Sequence, residues 1–173
     1  MSQLEQLRKI LSVGDMRTTG AVAELSANLT HDARLLAYAI CLMGDSEPGV
    51  AMRASDAVEK GTRARPELLS GHKEALLALL RDSRQQEVLW HVLQMVPRVT
   101  LMPAECRMAF DRAEECLQGS SRIVAAEALT AMFGLAELQS SLRRRAMQAA
   151  KGAALSSAPA VRARARGLLL RHR

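Results

Sequence analysis

Apolar residues recur three and four positions apart along most of the chain, and short clusters of glycine, proline and serine interrupt the runs. That spacing lines the apolar side chains along one face of a helix. It predicts helices over residues 3–11, 15–28, 31–43, 49–62, 66–81, 85–97, 103–118, 122–135, 138–154 and 159–171. The punctuation agrees with this reading. Thr30 is placed to cap a helix, and Glu47-Pro48-Gly49 reads as a turn. Pro66 and Pro103 stand at first helical positions, with Glu67 and Glu105 in the positively polarised first turns behind them. Gly119-Ser120-Ser121 and Ser157-Ala158-Pro159 each close one helix and open the next.

The pattern repeats. Val50-Ala51-Met52-Arg53-Ala54 aligns with Val88-Leu89-Trp90-His91-Val92, with Val124-Ala125-Ala126-Glu127-Ala128 and with Val161-Arg162-Ala163-Arg164-Ala165. The copies start 38, 36 and 37 residues apart, and each is apolar again four and eight positions on. A weaker copy begins near Met16 and Arg17 and runs through Ala21 and Val22. A period of this size with two helices per unit predicts an all-α fold, an α-solenoid formed by one domain over residues 1–173.

The segments Pro48 to Lys60 and Ala158 to Ala165 resemble the first helix of a HEAT or HEAT-like repeat, in which a turn residue precedes Val-Arg and a small residue. The resemblance extends from about residue 15 to 171, and the copy at Val88 departs from it with Trp90 and His91. It implies a right-handed α-α superhelix of about four to five helix hairpins. It also implies an interaction scaffold, the usual role in that family, although some members are DNA glycosylases for alkylated bases or lyases that attach bilins.

Composition narrows the core. Apolar residues make up 49% of the 173, but the aromatic residues are only Tyr38, Trp90, Phe110 and Phe133. Leucine, alanine, valine and methionine must fill the interior, a palette suited to closely packed helices and poorly suited to sheets. No run of about 18 apolar residues is free of charge, so no membrane span is expected. The opening Met1-Ser2-Gln3-Leu4-Glu5 lacks a leader pattern, which makes Asn28-Leu29-Thr30 a chance glycosylation match. Cys41, Cys106 and Cys116 form no Cys-x-x-Cys and read as reduced thiols, so a cytoplasmic location is expected.

Charge is distributed unevenly. The last acidic residue is Glu137, and residues 138–173 carry nine basic side chains and no acidic one. The chain before that point holds fifteen basic and eighteen acidic residues. Candidate chemistry is sparse. His31, His72, His91 and His172 lie apart without metal-ligand spacing, and His72 reads as a core-edge residue. Asp111 and Glu115 share a helix face, whereas the adjacent Glu114 and Glu115 diverge. Gly134 and Gly152 belong to no phosphate loop, and neither Gly-x-Ser-x-Gly nor a Cys-His pairing is present. The expectation is no catalytic residue, no metal and no cofactor.

Surfaces remain. Within the resemblance, the second helix of each pair lines the inner surface, and helical phase turns Arg34, Ala37, Cys41, Glu67, Glu74, Arg81, Arg107, Met108, Asp111, Glu115, Arg144, Met147 and Lys151 outward there. Met16, Met52, Trp90, Ala126 and Ala163 form an apolar line on the first helices, and Trp90 is expected to be at least partly exposed. Arg162, Arg166 and Arg173 share a flank of the final helix, where capping the stack is preferred to docking an acidic partner. The expected binding residues are Arg144, Lys151, Arg162, Arg166, Trp90, Glu74, Asp111 and Glu115. The expected function is a non-catalytic protein–protein interaction scaffold whose partner is a protein or peptide, acidic in character if the basic end engages it. The alternative is a nucleic-acid-binding protein related to the HEAT-like alkylpurine DNA glycosylases, using the basic C-terminal end. It ranks second because acidic residues occupy the middle of the expected groove. Oligomeric state stays open.

Overall fold

The computed structural model describes residues 2–15 and 20–172. Met16 and Arg17, at the start of the weak copy, and Arg173, on the flank of the final helix, lie outside the described residues. Ten α-helices run through the rest: α1 (Gln3–Leu11), α2 (Val22–Leu29), α3 (Ala33–Leu42), α4 (Pro48–Thr62), α5 (Lys73–Asp82), α6 (Gln86–Met95), α7 (Pro103–Leu117), α8 (Arg122–Leu138), α9 (Arg143–Ala153) and α10 (Pro159–Arg171). Short 3₁₀ turns cover Pro66–His72, Val96–Arg98 and Ser140–Leu142, and no strand occurs among the described residues.

Local chemistry explains the boundaries. Ser2 and Glu5 form a reciprocal capping box at α1. Asp32, not Thr30, caps α3, its carboxylate accepting from the Arg34 and Leu35 amides. The Thr30 hydroxyl instead donates back to the Ala27 carbonyl at the end of α2. Gly14 and Gly20 adopt positive φ angles of 103° and 54°, so the helix expected from residue 15 begins at Val22. The helix expected from Pro66 opens as a 3₁₀ turn, and regular α-geometry starts at Lys73.

Two rows of helices form an α-solenoid. In the first row α2, α4, α6, α8 and α10 pack side by side in unbroken order. In the second row, α3, α5, α7 and α9, each helix packs on the first-row helix that follows it in the chain. The pairing is therefore shifted by one helix from the sequence expectation. The hairpins are α3/α4, α5/α6, α7/α8 and α9/α10, closed by turns such as Met43–Glu47, where the Asp45 carboxylate accepts from the Glu47 amide at 2.8 Å. Alanine and glycine let the first row close up. Ala54, Ala57, Ala128 and Ala165 are fully buried. A Cβ on Gly61 would stand 2.7 Å from the Ser26 carbonyl oxygen of α2, and one on Gly134 would stand 2.8 Å from Pro97. With neighbours on several sides, α4 and α8 are buried around most of their circumference.

Polar links tie successive units together. Arg53 of α4, 1% exposed, gives Nε to the Leu11 carbonyl at 2.7 Å and its two Nη atoms to the Asp15 and Gly14 carbonyls at 3.0 and 3.1 Å. Glu59, also 1% exposed, accepts from Arg63 one turn on and from Arg98 after α6. Burial alone would raise the Glu59 carboxyl, but the hydrogen bonds from Arg63 and Arg98 outweigh it and hold the group below the usual carboxylate range. Glu127 pairs with Arg164 at 3.0 Å, linking α8 to α10. No helix among the described residues is long and apolar enough to cross a membrane.

Candidate interaction face

The second-row helices turn a charged face outward. Arg34, Ala37, Cys41, Glu67, Glu74, Arg81, Arg107, Asp111, Glu115, Arg144 and Lys151 are exposed, while Met108 and Met147 are half-buried. Two grooves cut this face. One, about 510 Å³, lies between α5 and α7 and is lined by Arg81, Arg84, Arg107, Met108, Asp111, Arg112 and Glu115. The other, about 530 Å³, lies between α7 and α9. Its apolar lining is Leu117, Ala149, Ala153 and Val161, and its polar lining includes Glu114, Gln118, Arg122, Arg145 and Gln148.

Arg145 is the hinge between the two grooves. One of its Nη atoms donates to Asp111 at 2.8 Å and to Glu114 at 2.6 Å, and the guanidinium sits 4.8 Å above the centre of the buried Phe110 ring. Arg112 pairs with Glu115 at 2.9 Å and donates to the Leu80 carbonyl of α5. Asp111 and Glu115, which share a helix face in the sequence, thus each have an arginine partner. Lys73 and Glu105 bridge α5 to α7 at 2.7 Å, which raises the lysine and lowers the carboxyl through their hydrogen bond.

The expected binding residues therefore divide between surfaces. Glu74, Asp111, Glu115, Arg144 and Lys151 lie on the second-row face. Arg166 is exposed on α10, and Arg162 is half-buried with its guanidinium donating to the Ser156 carbonyl at 2.6 Å. These two arginines occupy telling positions. Their counterparts one repeat earlier and before, Ala51, Leu89 and Ala125 for the first and Ser55, Leu93 and Leu129 for the second, are all buried. Trp90 belongs to the first row, apart from the others. It is half-buried with its ring edge-on to His91, centroids 5.4 Å apart.

Several of the remaining reactive groups are enclosed. His91 is 9% exposed, its Nε2 lies 4.0 Å from Asp56, and its Nδ1 has no hydrogen-bond partner among the described residues. Burial pushes His91 and the half-buried His72 below the usual imidazole value. Cys106 and Cys116 are buried and their thiols are pushed up by burial, which disfavours the nucleophilic thiolate; Cys41 is exposed. Among the described residues no group of three or more histidine, cysteine or carboxylate side chains is placed to hold a metal ion.

Sequence reasoning missed Arg122 and Arg145 as lining residues, and the structural roles of Arg53 and Arg98. For Arg145 a signal existed: Asp111 and Glu114, three residues apart on one helix, precede it by 34 and 31 residues, close to one repeat period.

No family model matches the chain, and no curated protein matches it. Solved structures do. An engineered protein determined in a structural-genomics programme superposes with a TM-score of 0.62 at 18% identity, covering 95% of this chain and 77% of its own. A second engineered protein from that programme gives 0.60 at 16% identity, covering 97% of this chain and 47% of its own. A computationally designed armadillo repeat protein for modular peptide recognition gives 0.56 at 16% identity, covering 94% and 79%. At these identities the likeness is one of fold, a stack of helical repeats.

Proposed function

We propose that this chain is a non-catalytic interaction scaffold that binds a protein or peptide segment across its second-row face. The observation that carries this reading is the pair of grooves flanking α7, lined by arginines, carboxylates and small apolar residues. Such a mixture can meet both the backbone and the side chains of an extended segment. The designed armadillo protein, whose purpose is peptide recognition, uses a comparable stack of helices. The non-catalytic reading draws support from the state of the reactive groups. Glu59 is consumed by two arginines, His91 is enclosed, and two of the three cysteines are buried. Nucleic acid is the weaker alternative, because Asp111, Glu114 and Glu115 line the grooves a phosphate backbone would have to follow.

A photo-reactive amino acid placed at Arg107 or Gln148 on the second row, and at Ala163 on the first, tests the reading in lysate of the native cell. Capture of one protein species from the second-row positions, unchanged by nuclease, is expected. Capture from Ala163 alone, or of material that nuclease removes, contradicts it.

A further inference from the structure

Resting on the scaffold reading, we infer that the groove between α7 and α9 binds an acidic peptide segment, with an apolar side chain on the groove lining and carboxylates on the surrounding cations. Charge complementarity carries the inference. Within the groove Glu114 and Arg145 neutralise each other, which leaves Arg122 with no side-chain partner among the described residues. Arg122 stands at the first position of α8, where the helix dipole adds to its positive field. Gln148 lines the groove, and Arg144 and Lys151 lie four residues before and three after it, on the same stretch of the α9 surface. Both are exposed and free of side-chain partners among the described residues. Arg162 adds a fourth cation, bonded to the carbonyl of the groove residue Ser156.

Two further observations set the partner's chemistry. The groove lining is apolar at Leu117, Ala149, Ala153 and Val161, and Leu155, just past α9, is 87% exposed. A chain of carboxylates alone would leave that surface unused, so the segment carries aliphatic residues among its acids. A phosphate backbone fits less well: it would leave the apolar lining unused, and no aromatic ring lines the groove for base stacking.

The test is fluorescence anisotropy on the full chain with labelled peptides of about twelve residues. One peptide has glutamates flanking a central pair of leucines; its counterparts replace the glutamates with serine or with lysine. Three variants report on the site: Arg122→Glu with Lys151→Glu, Gly152→Leu, and Glu24→Arg as a distant control on α2 of the first row. A Cβ at Gly152 meets nothing within 4 Å, so the leucine fills groove space without straining α9. Circular dichroism verifies that each variant is folded. The acidic peptide is expected to bind best, to weaken with rising salt, and to lose about tenfold or more in affinity in the charge-reversed protein. Gly152→Leu is expected to weaken it comparably while leaving the salt dependence in place, and Glu24→Arg to leave binding unweakened. The inference is overturned if the serine or lysine peptide binds as tightly, if neither groove variant weakens binding, or if random duplex DNA displaces the peptide at lower concentration. Binding of a serine or lysine peptide elsewhere on the second row would leave the scaffold reading standing while this one falls. Absence of binding by every peptide, together with no capture in the cross-linking experiment, would end both.

Discussion

Arg53 shows how one residue decides a junction. Its guanidinium is buried and ends on the carbonyls of Leu11, Gly14 and Asp15, closing the chain after α1 onto α4. A lysine offers a point charge in place of a fork and cannot reach three carbonyls at once. Arg53→Lys should therefore cost about 2 kcal/mol or more, and Arg53→Met about 2–4 kcal/mol, as read from urea midpoints, because buried carbonyls lose their donors. An Arg53→Lys protein as stable as the parent would contradict this assignment. Glu59 and His91 make stability depend on pH. The Glu59 carboxyl is held below the ordinary carboxylate value of 4.5, so its contribution is present above that pH and is lost as pH falls through the lowered folded value. His91 is held below the ordinary imidazole value of 6.5 by burial, which outweighs Asp56, Glu59 and Glu127 facing it, with Lys60 adding to the depression. Below that pH the unfolded chain takes up a proton that the folded chain resists, so stability starts to decline there. Urea midpoints should fall in two stages on acidification. His91→Gln should shrink the upper stage, which the half-buried His72 shares, and Glu59→Gln the lower, which Glu105 shares. A parent profile flat between about pH 7 and pH 5 would exclude the His91 contribution.

At the level of elements, the glycines separate packing from propensity. Gly61→Ala puts a methyl group 2.7 Å from a backbone oxygen of α2, and Gly134→Ala puts one 2.8 Å from Pro97. Each should destabilise by about 1–3 kcal/mol through overpacking. Gly167→Ala, inside α10 with nothing within 4 Å of the new Cβ, should stabilise by up to about 1 kcal/mol. Thermal midpoints that moved the same way for all three would contradict the close approach of the first-row helices. The same contrast explains what the sequence could convey. Small residues at the Ala54, Ala128 and Ala165 positions recur because close packing demands them, so the period and the first row could be read directly. The second row was less accessible. Two of its helices start behind 3₁₀ turns, α5 after Pro66–His72 and α9 after Ser140–Leu142, and which neighbour each helix packs on depends on turns such as Met43–Glu47 that periodicity does not describe. Asp32 displaced Thr30 as a cap because two plausible cap residues lay two positions apart and only three-dimensional placement chose between them.

For the molecule as a whole, a common stacking surface changes character at its C-terminal side. The positions that are buried as Ala51, Leu89 and Ala125 in earlier repeats carry Arg162 in the last, and those buried as Ser55, Leu93 and Leu129 carry Arg166. A like repeat stacked on α10 would have to bury both charges, which is costly unless each is paired. Replacing both with leucine should promote self-association, seen as a concentration-dependent rise in sedimentation coefficient. The basic run of residues 138–173 was legible as a charge pattern, but its division of labour was not. Arg145 and Arg164 are spent on Asp111, Glu114 and Glu127, while Arg144 and Lys151 have no side-chain partner among the described residues. If a partner binds across the second-row face, amide hydrogen exchange of the full chain, free and saturated with the protein captured by cross-linking, will locate it there. Slowed exchange is expected in α7 and α9 and in the turns bordering their groove, with α4 and α6 unchanged. Protection confined to the first-row helices around Trp90 would contradict it.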